Sequence, residues 1–214
     1  MERAPRILVV ACGALAREFA ELIERNGLTS VEVECLPAHL HNRPERIAPL
    51  LDDRLTARRG AYDRVLVGYG DCGSSGAIDE VCQRHGAERL PGAHCYEFLA
   101  GAATFADIHD PDPTAFYLTD YLARHFDRLV LDGLGITAHP ELRSAYFGNY
   151  TRVVLLSQRG DPAVEVLARR AAAALDLPLE VHITGYGDLE GVLVRTVGTT
   201  ISVSGLGAGI GAPR

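Results

Sequence analysis

The sequence predicts a three-layer α/β/α fold on an open, mainly parallel sheet. Short apolar runs alternate along the chain with segments of helical period. That alternation needs a crossover helix between strands, and crossovers give parallel pairing. The chain of 214 residues, 47% of them hydrophobic, is long enough to bury one such core.

Residues 6–11 (RILVVA) read as a buried strand. Residues 14–26 place Leu15, Phe19, Leu22 and Ile23 on one helical stripe, with Gly27 to close it. Residues 30–36 alternate Val31, Val33 and Cys35 against Glu32 and Glu34, a period-two strand. Residues 44–59 form a charged helix with Pro44 in its first turn and Gly60 after it. A third strand at 64–67, a helix at 76–85, a short segment at 88–91 and a helix over 94–107 follow.

The loop Asp110-Pro111-Asp112-Pro113 is the internal boundary at which two half-sheets would meet. Beyond it come a strand at 115–118, a helix over 119–134 and a strand at 153–157. Residues 162–175 are the clearest helix, with Asp161 as N-cap. A strand at 179–184 and the segment 188–197 after it complete one α/β domain over 1–204, and 205–214 reads as a Gly-rich flexible tail. The phrase Gly-Tyr-Gly-Asp occurs at 68–71 and again at 185–188, which leaves duplication and chance both open.

Composition removes several function classes. The formal charge is −7, and all 21 basic residues are Arg, so no Schiff-base lysine and no lysine-bearing phosphate loop exist. The acidic balance argues against nucleic acid, and no apolar run is long enough to span a membrane. The start of the chain shows no signal-peptide core and the Cys count is odd. The expectation is a cytoplasmic protein with free or metal-bound thiols.

Ligands of open parallel sheets sit outside the carboxyl ends of the strands. The residues following the strands here are Cys12, then His39, His41 and Arg43, then Tyr69, Asp71 and Cys72, then His94, Cys95, Tyr96 and Glu97. Cys12, Cys72 and Cys95 would be gathered by the fold, each beside a Gly or a helix start, with His94 adjacent. Thiolate and imidazole suit Zn²⁺ or a 4Fe-4S cluster, and the sequence leaves that choice open. Cys35 and Cys82 read as small core residues. His41 and Arg43 at a helix entry would hold an anionic end of a small substrate, beside Tyr69, Tyr96 and Asn149. Asp71 and His94 are the candidate proton-transfer groups. The aromatic run 146–150 (YFGNY) would wall a pocket or a homo-oligomer contact. The spacing Gly68-x-Gly70-x-x-Gly73 formally matches a dinucleotide fingerprint, but no acidic partner follows at the expected distance.

These blocks resemble domain-of-unknown-function family 1638. The resemblance rests on Ala11-Cys12-Gly13, His41-x-Arg43-Pro44-Glu45, 68–73 (GYGDCG), 90–98 (LPGAHCYEF), 118–126 (LTDYLARHF), 133–135 (GLG), 139–142 (HPEL), 146–152 (YFGNYTR) and 184–187 (TGYG), and spans residues 6–190. It implies no defined activity. It does suggest a link to corrinoid-dependent methyltransferase systems, hence to one-carbon metabolism. The combined expectation is a metal-dependent enzyme acting on a small anionic metabolite. The alternatives are a metal-free cysteine-nucleophile enzyme and a non-catalytic small-molecule or metal-binding accessory protein.

Overall fold

A computed structural model of the chain describes residues 4–198; the Gly-rich segment expected at 205–214 lies outside them. The fold is α/β with helices on both faces of parallel strands, divided into two sheets. The first contains β1 (Ile7–Cys12), β2 (Val31–Leu36), β3 (Arg64–Gly68) and β4 (Glu88–Arg89) in the order β2-β1-β3-β4. The second contains β5 (Ala115–Thr119), β6 (Arg152–Ser157) and β7 (Leu179–Ile183) in that order. Every pairing is parallel.

Strand β1 is central, and alternate residues feed two cores. Leu8 and Val10 pack with α2 (Ile47–Ala57) and α3 (Ala77–His85), against Leu51, Leu55, Ile78 and Val81. Val9 and Ala11 face α1 (Ala16–Arg25) through Phe19 and Leu22. In the second sheet, Leu118, Val153 and Leu155 pack beneath α8 (Pro162–Leu175), while Tyr117, Val154 and Leu156 face Ala100 and Ile108. Each buried Leu or Phe contributes about 1.5–3 kcal/mol of transfer free energy. The last described helix, α9 (Leu189–Gly198), returns to the first sheet, where Leu189 and Leu193 are fully buried beside Phe19. Arg64 of β3 donates to the Thr196 carbonyl at 2.8 Å.

The structure departs from the sequence reading in four places. The helix expected over 94–107 is two helices, α4 (Cys95–Ala100) and α5 (Ala102–His109). The break is Gly101 at φ +85°, a conformation that suits glycine. Asp188 of the second half inserts there: its amide donates to the Phe98 carbonyl at 2.8 Å, and its carboxylate accepts from the Ala102 amide at 2.9 Å. Gly187 touches the same break; a Cβ on it would lie 2.4 Å from the Phe98 carbonyl oxygen. The helix expected over 119–134 is α6 (Asp120–Arg124), N-capped by Thr119, and then a π-helical turn at Asp127–Leu131. A further short helix, α7 (Leu142–Phe147), precedes β6. Cys35, expected in the core, is exposed, because β2 is an edge strand; Cys82 is buried as expected.

Candidate functional site

The carboxyl ends of β1, β3 and β5 open into one cleft between the two sheets, with a cavity of about 350 Å³. The first half contributes Cys12, His41, Asn42, Tyr69, Cys72, Cys95 and Tyr96. The second half contributes Phe116, Thr119, Tyr121, Leu122, Leu129, Val130, Leu134, Tyr146, Phe147 and Tyr150. One wall is therefore thiol-bearing, and the opposite wall is aromatic and aliphatic.

The Cys wall is built by two laced loops. Cys72 follows β3 through Gly68-Tyr69-Gly70-Asp71, and Cys95 opens α4. The Asp71 amide donates to the Gly92 carbonyl at 3.1 Å, and the Cys72 amide to the Ala93 carbonyl at 2.8 Å. Gly70 eases this approach, since a Cβ there would crowd the Gly92 carbonyl oxygen at 3.1 Å and the His94 nitrogen at 3.2 Å. Cys72 itself sits at φ +51°, a left-handed conformation that costs a non-glycine residue about 1–2 kcal/mol. Such local strain is concentrated at functional sites.

Burial disfavours the thiolate form of all three cysteines. Burial pushes Cys12 up to about 11, against a partly offsetting hydrogen bond from the Ala14 amide. Burial also raises Cys72, although the Gly70 and Cys95 amides donate to it. Cys95 is raised well above the usual thiol range, first by burial and then by Cys72 and Cys12. The three thiols are thus close enough to oppose one another's ionisation. Among the described residues, no Arg, Asp or Glu lines the cavity. The Tyr69 hydroxyl is buried against Cys12 with no hydrogen-bond partner of regular geometry, and burial raises its pKa. No set of three or more His, Cys, Asp or Glu side chains close enough to hold a metal ion is preassembled among the described residues.

The remaining expected residues divide. His41 opens onto the cleft yet is crowded by its walls, and burial followed by the nearby His94 lowers its pKa. Tyr69 and Tyr96 line the cavity. Tyr146, Phe147 and Tyr150 wall it, whereas Asn149 is exposed outside. Arg43 is exposed and does not line it. His94 is exposed at the start of α4, its ring 6.4 Å from that of Tyr96. The Asp71 carboxylate is occupied as a turn cap: it accepts from the Gly76 amide at 2.8 Å and the Ser74 hydroxyl at 3.0 Å, and these bonds lower its pKa. Sequence reasoning missed Asn42, which spans the cleft, and the second-half residues Phe116, Thr119 and Tyr121. Nothing local marks them as cleft residues, because the apposition of the two sheets is what brings them there.

The sequence profile of a family described as a protein of unknown function (DUF1638) matches residues 35–193. The chain belongs to the DUF1638 family. The DUF1638 match takes in His41, Tyr69, Cys72, His94, Cys95 and the aromatic wall, and begins after Cys12. Comparison with curated proteins and with solved structures gives no match. No helix among the described residues is long and apolar enough to cross a membrane.

Proposed function

We propose that the cleft is the active site of an enzyme acting on a small, weakly polar molecule, and that Cys12, Cys72 and Cys95 take up a thiophilic metal centre, zinc or an iron–sulfur cluster. The observation that carries this reading is the grouping of three thiols on one cleft wall, each with its thiolate disfavoured by burial, in a cavity that no Arg lines among the described residues. A protonated thiol is a poor nucleophile. The same three groups become strong ligands once a metal supplies the missing positive charge and displaces their protons. Binding must then draw the thiols together, and the glycine-bounded Cys72 loop is where the backbone can yield. The metal would contribute Lewis acidity or activation of a bound water.

The chain's own residues supply the rest. The aromatic wall excludes water and holds the substrate body by apolar contact. The unpartnered Tyr69 hydroxyl is a hydrogen-bond donor at the thiol end of the cavity. His41, disfavoured as imidazolium, is a neutral proton acceptor at neutral pH. With no guanidinium lining the cavity, the substrate proposed is not the anionic metabolite expected from Arg43. A corrinoid macrocycle is far too large for 350 Å³. A link to corrinoid methyl transfer would therefore run through a partner protein and not through this cleft.

Titration of reduced protein with Co²⁺ tests the reading. The expected result is a thiolate-to-cobalt charge-transfer band that weakens in each of Cys12→Ser, Cys72→Ser and Cys95→Ser but not in Cys35→Ser. Absence of the band in folded, fully reduced protein would overturn it in favour of a metal-free binding site.

A further inference from the structure

We propose that β7 is an edge at which two copies of this chain pair, antiparallel, into a continuous six-stranded sheet. Strand β7 ends the β5-β6-β7 order, so among the described residues it is paired on one side only. Its register with β6 is regular over five residues, and no proline, glycine or bulge interrupts it. Exposed edges are normally guarded by such features. On the face toward α8 its side chains are apolar and open, with Val181 36% and Ile183 72% exposed.

The hydrogen-bonding phase fixes how a partner would dock. The Val153 amide donates to the Pro178 carbonyl and the Thr184 amide to the Ser157 carbonyl. Even-numbered backbone groups of β7 therefore face β6, and those of Leu179, Val181 and Ile183 face outward. A two-fold axis at Val181 sets Val181 opposite the partner's Val181 and Leu179 opposite the partner's Ile183, all as hydrogen-bonded pairs. The same axis sets Glu180 opposite the partner subunit's His182, and His182 opposite the partner subunit's Glu180. These are the closer, non-hydrogen-bonded positions, where side chains interact most strongly. Within one chain, Glu180 already meets His182 at 2.7 Å and Arg152 at 3.1 Å. The edge is thus complementary to itself in both shape of pairing and charge, as an isologous interface requires. The Leu179, Val181 and Ile183 side chains share the α8 face, because their β6 partners Val153 and Leu155 pack there. The axis would bring the two copies of α8 together on that face, where Val166 is 58% exposed.

The test is molar mass in solution by light scattering or sedimentation across the micromolar range. The parent chain is expected to be a dimer. Val181→Pro removes an outward amide and no β6 ladder bond, as proline does on edge strands, so it should give a folded monomer with parent-like circular dichroism. His182→Glu places carboxylates opposite one another and should weaken the dimer by about tenfold or more, and the exchange Glu180→His with His182→Glu should restore it. A parent monomer would overturn the proposal, as would a dimer indifferent to Val181→Pro. So would a monomer whose β7 amides resist hydrogen exchange only while residues 199–214 are present, since the chain's own end would then occupy the edge.

Discussion

Asn42 is tied to Leu129 across the cleft: its side-chain amide donates to the Leu129 carbonyl at 2.8 Å. Asn42 belongs to a 3₁₀ turn after β2, and Leu129 to the π-helical turn after α6. Gly133 leaves room for this, since a Cβ there would lie 2.7 Å from the Asn42 amide nitrogen. Asn42→Ala should lower stability by about 1 kcal/mol, the typical net worth of one such bond. It should also raise hydrogen exchange at residues 127–134, a readout that a change confined to the first half would not move.

The protonated state of the cleft thiols sets their reactivity. Alkylation of metal-free protein should modify exposed Cys35 first. Cys12 should react slowly at neutral pH and accelerate through the alkaline range toward about 11. Mass mapping of the alkylated peptides at several pH values checks the order. Fast labelling of Cys12, Cys72 or Cys95 at neutral pH would show instead a thiolate of the kind a cysteine nucleophile needs.

Cys72 separates strain from side-chain chemistry. Alanine retains the cost of the left-handed backbone and glycine does not. Cys72→Gly should be more stable than Cys72→Ala by about 1 kcal/mol, measured by denaturant unfolding. Both should lose Co²⁺ absorbance alike.

Glu18 is a buried carboxyl where the halves meet. One of its oxygens has no partner, and burial is the first cause that raises its pKa, with Asp120 adding to it and Arg159 opposing. A carboxyl raised in the folded state contributes stability that is present below its unfolded value of 4.5 and is lost as pH rises through the folded value. Glu18→Gln removes that loss. Its unfolding free energy, measured by denaturant unfolding, should exceed the parent's at neutral pH by about 1 kcal/mol for an unpaired buried polar group, and the difference should shrink as pH falls toward 4.5.

Asp188 caps α5 from the other half of the chain. Asp188→Ala should cost about 1 kcal/mol, as loss of an N-cap does, and should loosen α5 in hydrogen exchange. The repeated Gly-Tyr-Gly-Asp phrase acquires a shared physical role here, because Asp71 and Asp188 both accept amides near a helix start. Their tyrosines differ: Tyr69 enters the cleft, while Tyr186 donates to Glu21.

Strand positions, parallel pairing and the three converging thiols were legible because apolar runs and strand-end residues are local signals. The split at Gly101 was not, since its cause is Asp188, distant in sequence. Nor was the exposure of Cys35, which period-two spacing cannot distinguish from burial when the strand lies at an edge. Arg43 and Asp71 looked like site residues by type and place. Their fates depended on which way a loop turns and which amides lie free beside it.

The return of α9 to the first sheet has a consequence for how the molecule is made. Leu189 and Leu193 complete the core that begins with Val9 and Phe19. During synthesis the second sheet has all its strands before those two leucines emerge. The half translated first is therefore finished last, and until then it carries an uncovered face at Phe19 and Leu22. Ribosome-bound chains stopped before Leu189 should be far more sensitive to protease in the first half than in the second.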